Sequence, residues 1–519
     1  MQSWFTFELD GETCRVEKAP TTGTLAQFLR ELPSGGTTDR IVAMGDIEND
    51  RHRFRAVDPA LILLPMLAGR QIWTARGIRN TEPDHPVNLA LRNGHFECGE
   101  ERTDALAALM FEGYYRPDLR RQGQMNDQFD SVISRTANIP AIRQTAAQVF
   151  ASTEQLRHEA AQKAEKSGDE TTVWTGRKDI FGDRFTNSLF KISERTELAY
   201  ADDSKHRFYR PTTVVDLLKL RREYPDSVIV AGGTGLARSG KHKETNTLIS
   251  LEGVNELNSF ITTEEEWEIG ASISLTEVAE HIGRECRPYN KVLRRFGNRA
   301  IRNRATLGGY LASGWHSGQL APLLMALNAR VILLSDDGER DAPIAQFYTE
   351  KGGTILAPGE LVRSVIIPRA SESVLSARGI TSRLCDAYSV GPRRNLCHPY
   401  ATAGFAVELR DRQISKAWIA YSGIGDSPVR ARDAEDFLRG KVWEEKTVFE
   451  TLPILNKSVE VKVPEGAPGD IDYRKQLVVT LFQKFFQQHS KPESNRPSLL
   501  TATGEFAKMD QPFFDALPG

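Results

Sequence analysis

At 519 residues, the chain is long enough for three or four domains of about 150 residues, each able to bury a core of its own. A formal net charge of -2 sets up no field that would gather nucleic acid or an anionic membrane, and no apolar run reaches the roughly 20 residues needed to cross a bilayer. The five cysteines, Cys14, Cys98, Cys286, Cys385 and Cys397, lie far apart without a C-x-x-C, so no disulfide framework or zinc knuckle is written locally. Buried thiols in a reducing compartment account for at least four of them. The opening residues lack a basic start followed by an apolar run, and the expected location is the cytoplasm.

In chain order, Phe5, Phe7 and Leu9 alternate on one face, Asp10-Gly11 supplies a turn and residues 12–16 return, which predicts a β-hairpin. Leu25, Phe28, Leu29 and Leu32 then fall at helical spacing behind Thr24, with Pro33 and Gly35-Gly36 ending the helix. From residue 85 to 150 the pattern is largely helical, with Leu106, Ala107, Leu109 and Met110 as an apolar cluster. Residues 152–172, rich in Glu, Gln, Lys and Ala, suit a solvated helix or a tether, and the main boundary is expected there. Beyond Pro211, strands are predicted at 228–231, 247–251, 267–273, 330–334 and 362–367, with helices at 214–222 and 275–282 between them. Strands at 400–409 and 417–421 and helices near 431–439 and 473–486 follow, then a Pro- and Ser-containing tail after Lys491.

Two segments suggest an anion site. A buried strand empties into Gly232-Gly233-Thr234-Gly235, where side-chain-free residues let backbone N–H groups converge on a phosphate; a plain turn explains the same residues. A second glycine pair, Gly308-Gly309, ends a basic stretch holding Arg294, Arg295, Arg299, Arg302 and Arg304. Either an anionic cofactor or a solvated or interface face accounts for those arginines.

Taken in order, these segments resemble the small subunit of bacterial xanthine dehydrogenase, the flavin and iron–sulfur part of the molybdenum hydroxylases. Residues 55–69 are similar to the end of that family's ferredoxin domain, and Asn93-Gly94-His95-Phe96-Glu97-Cys98-Gly99 to the start of its helical iron–sulfur domain. Phe208-Tyr209-Arg210-Pro211-Thr212, Gly232-Gly233-Thr234, Ile301-Arg302-Asn303, Ala305-Thr306-Leu307-Gly308-Gly309 and Ala357-Pro358-Gly359-Glu360 resemble its FAD domain. Arg430-Ala431, Glu435, Leu438-Arg439-Gly440 and Asp472-Tyr473-Arg474 resemble its C-terminal domain.

The fold this resemblance implies is a multi-domain α+β chain. Residues 1–80 would be a β-grasp ferredoxin-like domain and 81–151 a helical bundle, with 152–204 as linker. A two-lobed FAD-binding domain of the vanillyl-alcohol-oxidase-like kind would span 205–376, a CO-dehydrogenase-flavoprotein-like α+β domain 377–490, and a tail 491–519. Any retained FAD would be held by Val230, Ala231, Gly232, Gly233, Thr234, Gly235, Arg302, Asn303, Thr306, Leu307, Gly308 and Gly309. The implied partner is a molybdopterin-containing large subunit or its homologue in a homo- or hetero-oligomer, with no molybdopterin on this chain.

Departures from the family's pattern shape the functional expectation. Two [2Fe–2S] clusters need eight ligands, whereas the first half of the chain offers only Cys14 and Cys98. The ferredoxin ligand loop reads Ser34-Gly35-Gly36-Thr37-Thr38-Asp39-Arg40-Ile41-Val42-Ala43-Met44, and Pro59 stands at the fourth cysteine. Glu101 and Ser134-Arg135-Thr136 replace the partners of Cys98, and Cys14, in the hairpin, reads as core. No [2Fe–2S] cluster is therefore expected. In the flavin domain, Tyr310 replaces an asparagine and Trp315-His316-Ser317-Gly318-Gln319 a family S-P-x-x-D, adding bulk where a flavin needs space. The segment 392–398 is also altered. His316 and His398, without visible partners, receive no catalytic role. Three readings follow: a non-catalytic structural partner of a molybdenum hydroxylase, an assembly factor using the same interfaces, or an FAD-binding electron-transfer subunit working without clusters of its own.

Overall fold

The computed structural model describes residues 1–32, 36–94, 96, 99–116, 119, 122–132, 138–167, 179–240, 242, 244–315, 318–393, 397–464, 467 and 469–490. These form two compact units, one of residues 1–255 with 299–304, the other of residues 256–298 with those from 305 onward.

The first unit opens with the hairpin β1 (Trp4–Leu9) and β2 (Glu12–Glu17), paired antiparallel. Asp10 and Gly11 both take positive φ, 52° and 87°, the conformation a two-residue hairpin turn demands. Phe5, Phe7 and Leu9 go into the core, and Cys14, opposite Phe7, packs against the same cluster. Helix α1 (Leu25–Arg30) starts at Thr24, whose side chain forms a reciprocal capping box with Gln27 and so satisfies two otherwise orphaned N–H groups. β3 (Val42–Glu48), β4 (Arg51–Val57) and β5 (Gln71–Trp73) complete a sheet of order β2-β1-β5-β3-β4, in which only the β1–β5 pair is parallel.

Helices α2 (Pro86–Asn93), α3 (Glu100–Tyr115) and α4 (Ile139–Ser167) follow. Their contact surface is Leu106, Leu109 and Met110 against Ile142, Ala146 and Phe150. The polar stretch after residue 152 thus continues α4, the helical one of its two expected forms. A second sheet of order β6-β7-β9-β8 is built from β6 (Leu198–Ala201), β7 (Arg207–Arg210), β8 (Val228–Val230) and β9 (Thr247–Ser250), with β7, β9 and β8 mutually parallel.

His85 is the N-cap of α2. Its Nδ1 accepts from the Val87 N–H at 3.3 Å, and its Nε2 lies 3.1 Å from the Tyr115 hydroxyl, which donates to Asp183 at 2.7 Å. An accepting Nδ1 places the proton of the neutral ring on Nε2. Burial pushes the ring's pKa down to about 4 from 6.5, because a charged imidazolium loses its hydration. The unfolded chain therefore binds the extra proton first, so this contribution is complete above pH 6.5 and is lost as pH falls through about 4. A drop of about 3 kcal/mol across that window is expected, visible in urea unfolding as a function of pH and absent in His85→Asn. An equally steep pH dependence in the variant would assign it to other groups.

The second unit begins with β10 (Phe260–Thr262), β11 (Glu266–Gly270) and α5 (Leu275–Ile282), resumes with α6 (Leu307–Ala312) and α7 (Ala321–Ala326), and adds β12 (Arg330–Ser335), β13 (Gly338–Pro343) and β14 (Leu361–Pro368). Its first sheet, β10-β11-β14-β12-β13, is antiparallel throughout. β11 ends at Gly270, short of the predicted 273, because the chain turns there: the Ile273 N–H donates back to the Gly270 carbonyl at 3.2 Å and the Ser272 N–H to the Leu257 carbonyl at 2.9 Å. A second antiparallel sheet, β15 (Ser382–Val390), β16 (Ala401–Arg410), β17 (Gln413–Ser422) and β18 (Val429–Arg430), carries α8 (Arg432–Leu438), α9 (Glu445–Ser458) and α10 (Ile471–His489). Phe405, Ile419, Tyr421, Leu455, Phe482 and Phe485 form the centre of that core. Among the described residues no helix is long and apolar enough to cross a membrane.

Candidate functional site

The sequence-predicted positions divide between the two units. In the first, Val230 ends β8 and is buried, and the chain turns through Ala231 and Gly232 into Gly233 at φ 80°. Gly233 is required there twice over: its φ is left-handed, and a Cβ would sit 2.6 Å from the Leu61 carbonyl. The short helix Thr234–Ser239 then starts with no side-chain cap, and a Cβ at Gly235 would meet nothing within 4 Å. This turn keeps open space beside uncapped helix N–H groups, a shape that accepts an anion's oxygen.

In the second unit the corresponding donors are spent. The Leu307 N–H donates to Ile273 O at 3.0 Å and the Gly308 N–H to Ala271 O at 2.9 Å; Gly309 N–H is capped by Thr306 Oγ1 at 3.1 Å, and Tyr310 N–H donates to Thr306 O at 2.9 Å. A Cβ on Gly308 would lie 2.4 Å from that of Ala271, so this glycine serves helix-to-strand packing. The ring of Tyr310 is buried and meets Phe296 edge-on at 5.6 Å, while its hydroxyl accepts from both Leu320 N and Ala321 N at 2.9 Å. Gly318 is the complement to this tyrosine, since a Cβ there would come within 2.2 Å of the hydroxyl. Nearby Gln319 is buried with its Oε1 unpartnered.

Arg302 and Asn303 belong to the first unit, where both are buried in an ionic network. Arg302 pairs with Asp127 at 2.6 Å, and Asn303 Nδ2 donates to Ala56 O at 2.8 Å and Glu112 at 3.0 Å. Glu112 also receives Arg299 at 3.0 Å. Glu252 joins Arg70 at 3.0 Å and Arg304, and Asp46 joins Arg70 at 3.0 Å and Arg195 at 2.6 Å. Burial works against charge on Glu252, but the guanidiniums of Arg304, Arg70 and Arg195 outweigh it and hold the carboxyl at about 2. For Asp46, Arg195 and Arg70 overcome the same penalty and hold its carboxyl far below the usual range. The basic stretch is thus partly an internal brace, neither a solvated face nor an open anion site at Arg299, Arg302 and Arg304. Nothing in the sequence singled out Asp46, Glu112 or Glu252, isolated acids whose partners are distant in the chain.

Of the expected cluster-ligand positions, Ser34-Gly35, Cys98 and Ser134-Arg135-Thr136 lie outside the described residues, as does His316. Pro59 opens a 3-10 turn capped by Asp58, and Glu101 pairs with Arg40 at 2.7 Å. His398 meets Trp315 edge-on at 5.3 Å. Among the described residues no group of three or more His, Cys, Asp or Glu is arranged to hold a metal ion.

Residues 203–370 match the FAD binding domain in molybdopterin dehydrogenase, and residues 386–489 the CO dehydrogenase flavoprotein C-terminal domain. Xanthine dehydrogenase of Emericella nidulans is 30% identical over 318 residues, 58% of this chain and 22% of that protein. Over that stretch the chain is similar to xanthine dehydrogenase. Xanthine dehydrogenase 1 of Arabidopsis thaliana is 28% identical over 62% of this chain and 25% of its own length, and aldehyde oxidase 2 of Macaca fascicularis 29% identical over 53% and 21%. The chain therefore spans between a fifth and a quarter of these curated relatives. A solved chain of quinoline 2-oxidoreductase from Pseudomonas putida 86 aligns with a TM-score of 0.47 and 22% identity, covering 56% of this chain and 97% of that one.

The matched FAD-binding domain suggests FAD as its ligand, and the residues present meet that demand unevenly. The turn at Gly232–Gly235 suits a phosphate. The segment from Thr306 to Tyr310 does not suit one: four successive backbone donors are engaged within the chain, and two further amides are held by a tyrosine hydroxyl. Within the second unit, then, the backbone donors of Leu307, Gly308, Gly309 and Tyr310 are all engaged inside the chain.

Proposed function

We propose that this chain is a non-catalytic structural or assembly partner of a molybdenum hydroxylase, acting in the cytoplasm within a homo- or hetero-oligomer. Its partner in this reading is a molybdopterin-containing large subunit or a relative of one, and its first two domains are relics of a β-grasp ferredoxin-like domain and a helical iron–sulfur domain. The observation that carries the proposal is the internal commitment of the donors of Leu307, Gly308, Gly309, Tyr310, Leu320 and Ala321. The scarcity of thiols in the first half of the sequence points the same way, since a relay without clusters isolates a flavin from a molybdenum site elsewhere.

A second reading, an FAD-binding electron-transfer subunit without clusters of its own, is favoured by one feature, the open turn at Gly235. The absorption spectrum of the purified protein separates the two. The partner reading expects no flavin band and no iron–sulfur shoulder; a stoichiometric flavin band installs the second reading in its place. Stoichiometric iron and labile sulfide would overturn both.

A further inference from the structure

Within the second unit, one face of the β15–β17 sheet borders a cavity of about 200 Å3. Strand register sets its polar row: Arg383 on β15 lies opposite Glu408 on β16, which lies opposite Lys416 on β17. Trp418, two residues beyond Lys416, shares that face and lines the same cavity, as do Leu327 and Ile380, both buried. Four cations line it, Arg378, Arg383, Arg410 and Lys416, against the single carboxylate of Glu408.

The Arg383 side chain is only 5% exposed, yet its Nε has no hydrogen-bond partner; the Glu408 carboxylate stands 3.9 Å from it, beyond bonding distance. Its charge sits 5.6 Å from the centre of the Trp418 ring. Arg378, Arg410 and Lys416 lie exposed at the rim, and none of them has a carboxylate within 4 Å among the described residues. A buried guanidinium donor left unmade costs on the order of 1–3 kcal/mol. The Nε is enclosed by protein and Nη2 donates to the Leu327 carbonyl at 3.5 Å, so an oxyanion in the cavity would meet this cation at its remaining Nη1 and through its charge, together with the cations of the rim. The volume is below the ordinary range of dinucleotide and drug-sized sites, so the occupant is small, and the indole and aliphatic walls require an apolar body.

We propose that this cavity is a binding site for a small organic carboxylate with an aromatic or compact apolar body, its carboxylate on Arg383 and its charge supported by Arg410 and Lys416. The site is independent of the flavin domain's glycine turns and of whether FAD is retained.

Calorimetric titration of the full-length protein with benzoate tests it, with benzamide as the neutral shape and inorganic phosphate as the anion lacking an apolar body. Benzoate should bind. Arg410→Ala and Lys416→Ala, both exposed, should each weaken it by up to about fivefold, and Arg383→Gln by about 10- to 100-fold. If Arg383→Gln does not fold, the two rim variants decide. Benzamide or phosphate binding as tightly as benzoate, no benzoate binding, or affinity unchanged in the rim variants would each overturn the assignment.

Discussion

Glu252→Ala is expected to destabilise the first unit by about 3–5 kcal/mol, the cost of leaving buried charge without its counterion. Glu252 follows β9 and holds Arg70 at 3.0 Å together with Arg304, whose side chains are 1% and 6% exposed. Neither guanidinium is fully satisfied even in the intact protein, since Arg70 Nη2 and Arg304 Nε lack hydrogen-bond partners. Removing the carboxylate leaves Asp46 as the acid facing Arg70 and Arg195 and removes the salt-bridge partner of Arg304. A pH series gives a second handle on the same group. Its carboxyl is held at about 2 instead of 4.5, so its contribution is complete above pH 4.5 and is lost as pH falls through about 2. Urea unfolding of the full chain measures the first effect, with Asp436→Ala as the control. The Asp436–Arg439 pair is about two-thirds exposed on both sides and should shift stability by under about 1 kcal/mol. A loss for Glu252→Ala no larger than for the control would show that the network is solvated and contributes little.

This network marks where sequence reading stopped. The opening hairpin was legible because alternation and an Asp-Gly turn are local signals, and Leu25–Arg30 was legible from its apolar spacing behind a capping Thr24. The strand running into Gly232 was legible for the same reason: a buried run and a glycine turn sit side by side. Arg299, Arg302 and Arg304 were visible as a basic stretch, but their carboxylates lie 187, 175 and 52 residues away, and no periodicity connects them. The carboxylate cavity was invisible for the same reason, since Arg383, Glu408 and Lys416 meet only through strand register. Tyr310 lies between these cases. Its bulk could be read from its place after Gly308-Gly309, whereas the use of its hydroxyl could not.

That use makes Tyr310 the decisive position for the cofactor question, and Tyr310→Asn should change two properties in opposite directions. Stability should fall by about 3 kcal/mol, near the lower end for removing a buried aromatic ring, because the ring contact with Phe296 is lost along with the acceptor for Leu320 and Ala321. Tyr310→Phe, which keeps the ring and removes only the hydroxyl, should lose about 1–3 kcal/mol through the two unmet amides. The volume and donors released in Tyr310→Asn should at the same time raise affinity for added FAD by tenfold or more, whereas Tyr310→Phe, still filling the space, should gain little. Quenching of flavin fluorescence on titration with the three proteins reads this directly. FAD binding to the unmodified chain as tightly as to Tyr310→Asn would mean that the tyrosine does not obstruct the site, and the non-catalytic reading would lose its main support. Binding that appears only in the asparagine variant would show that one side chain, seated on the amides of Leu320 and Ala321, separates this chain from a flavoprotein.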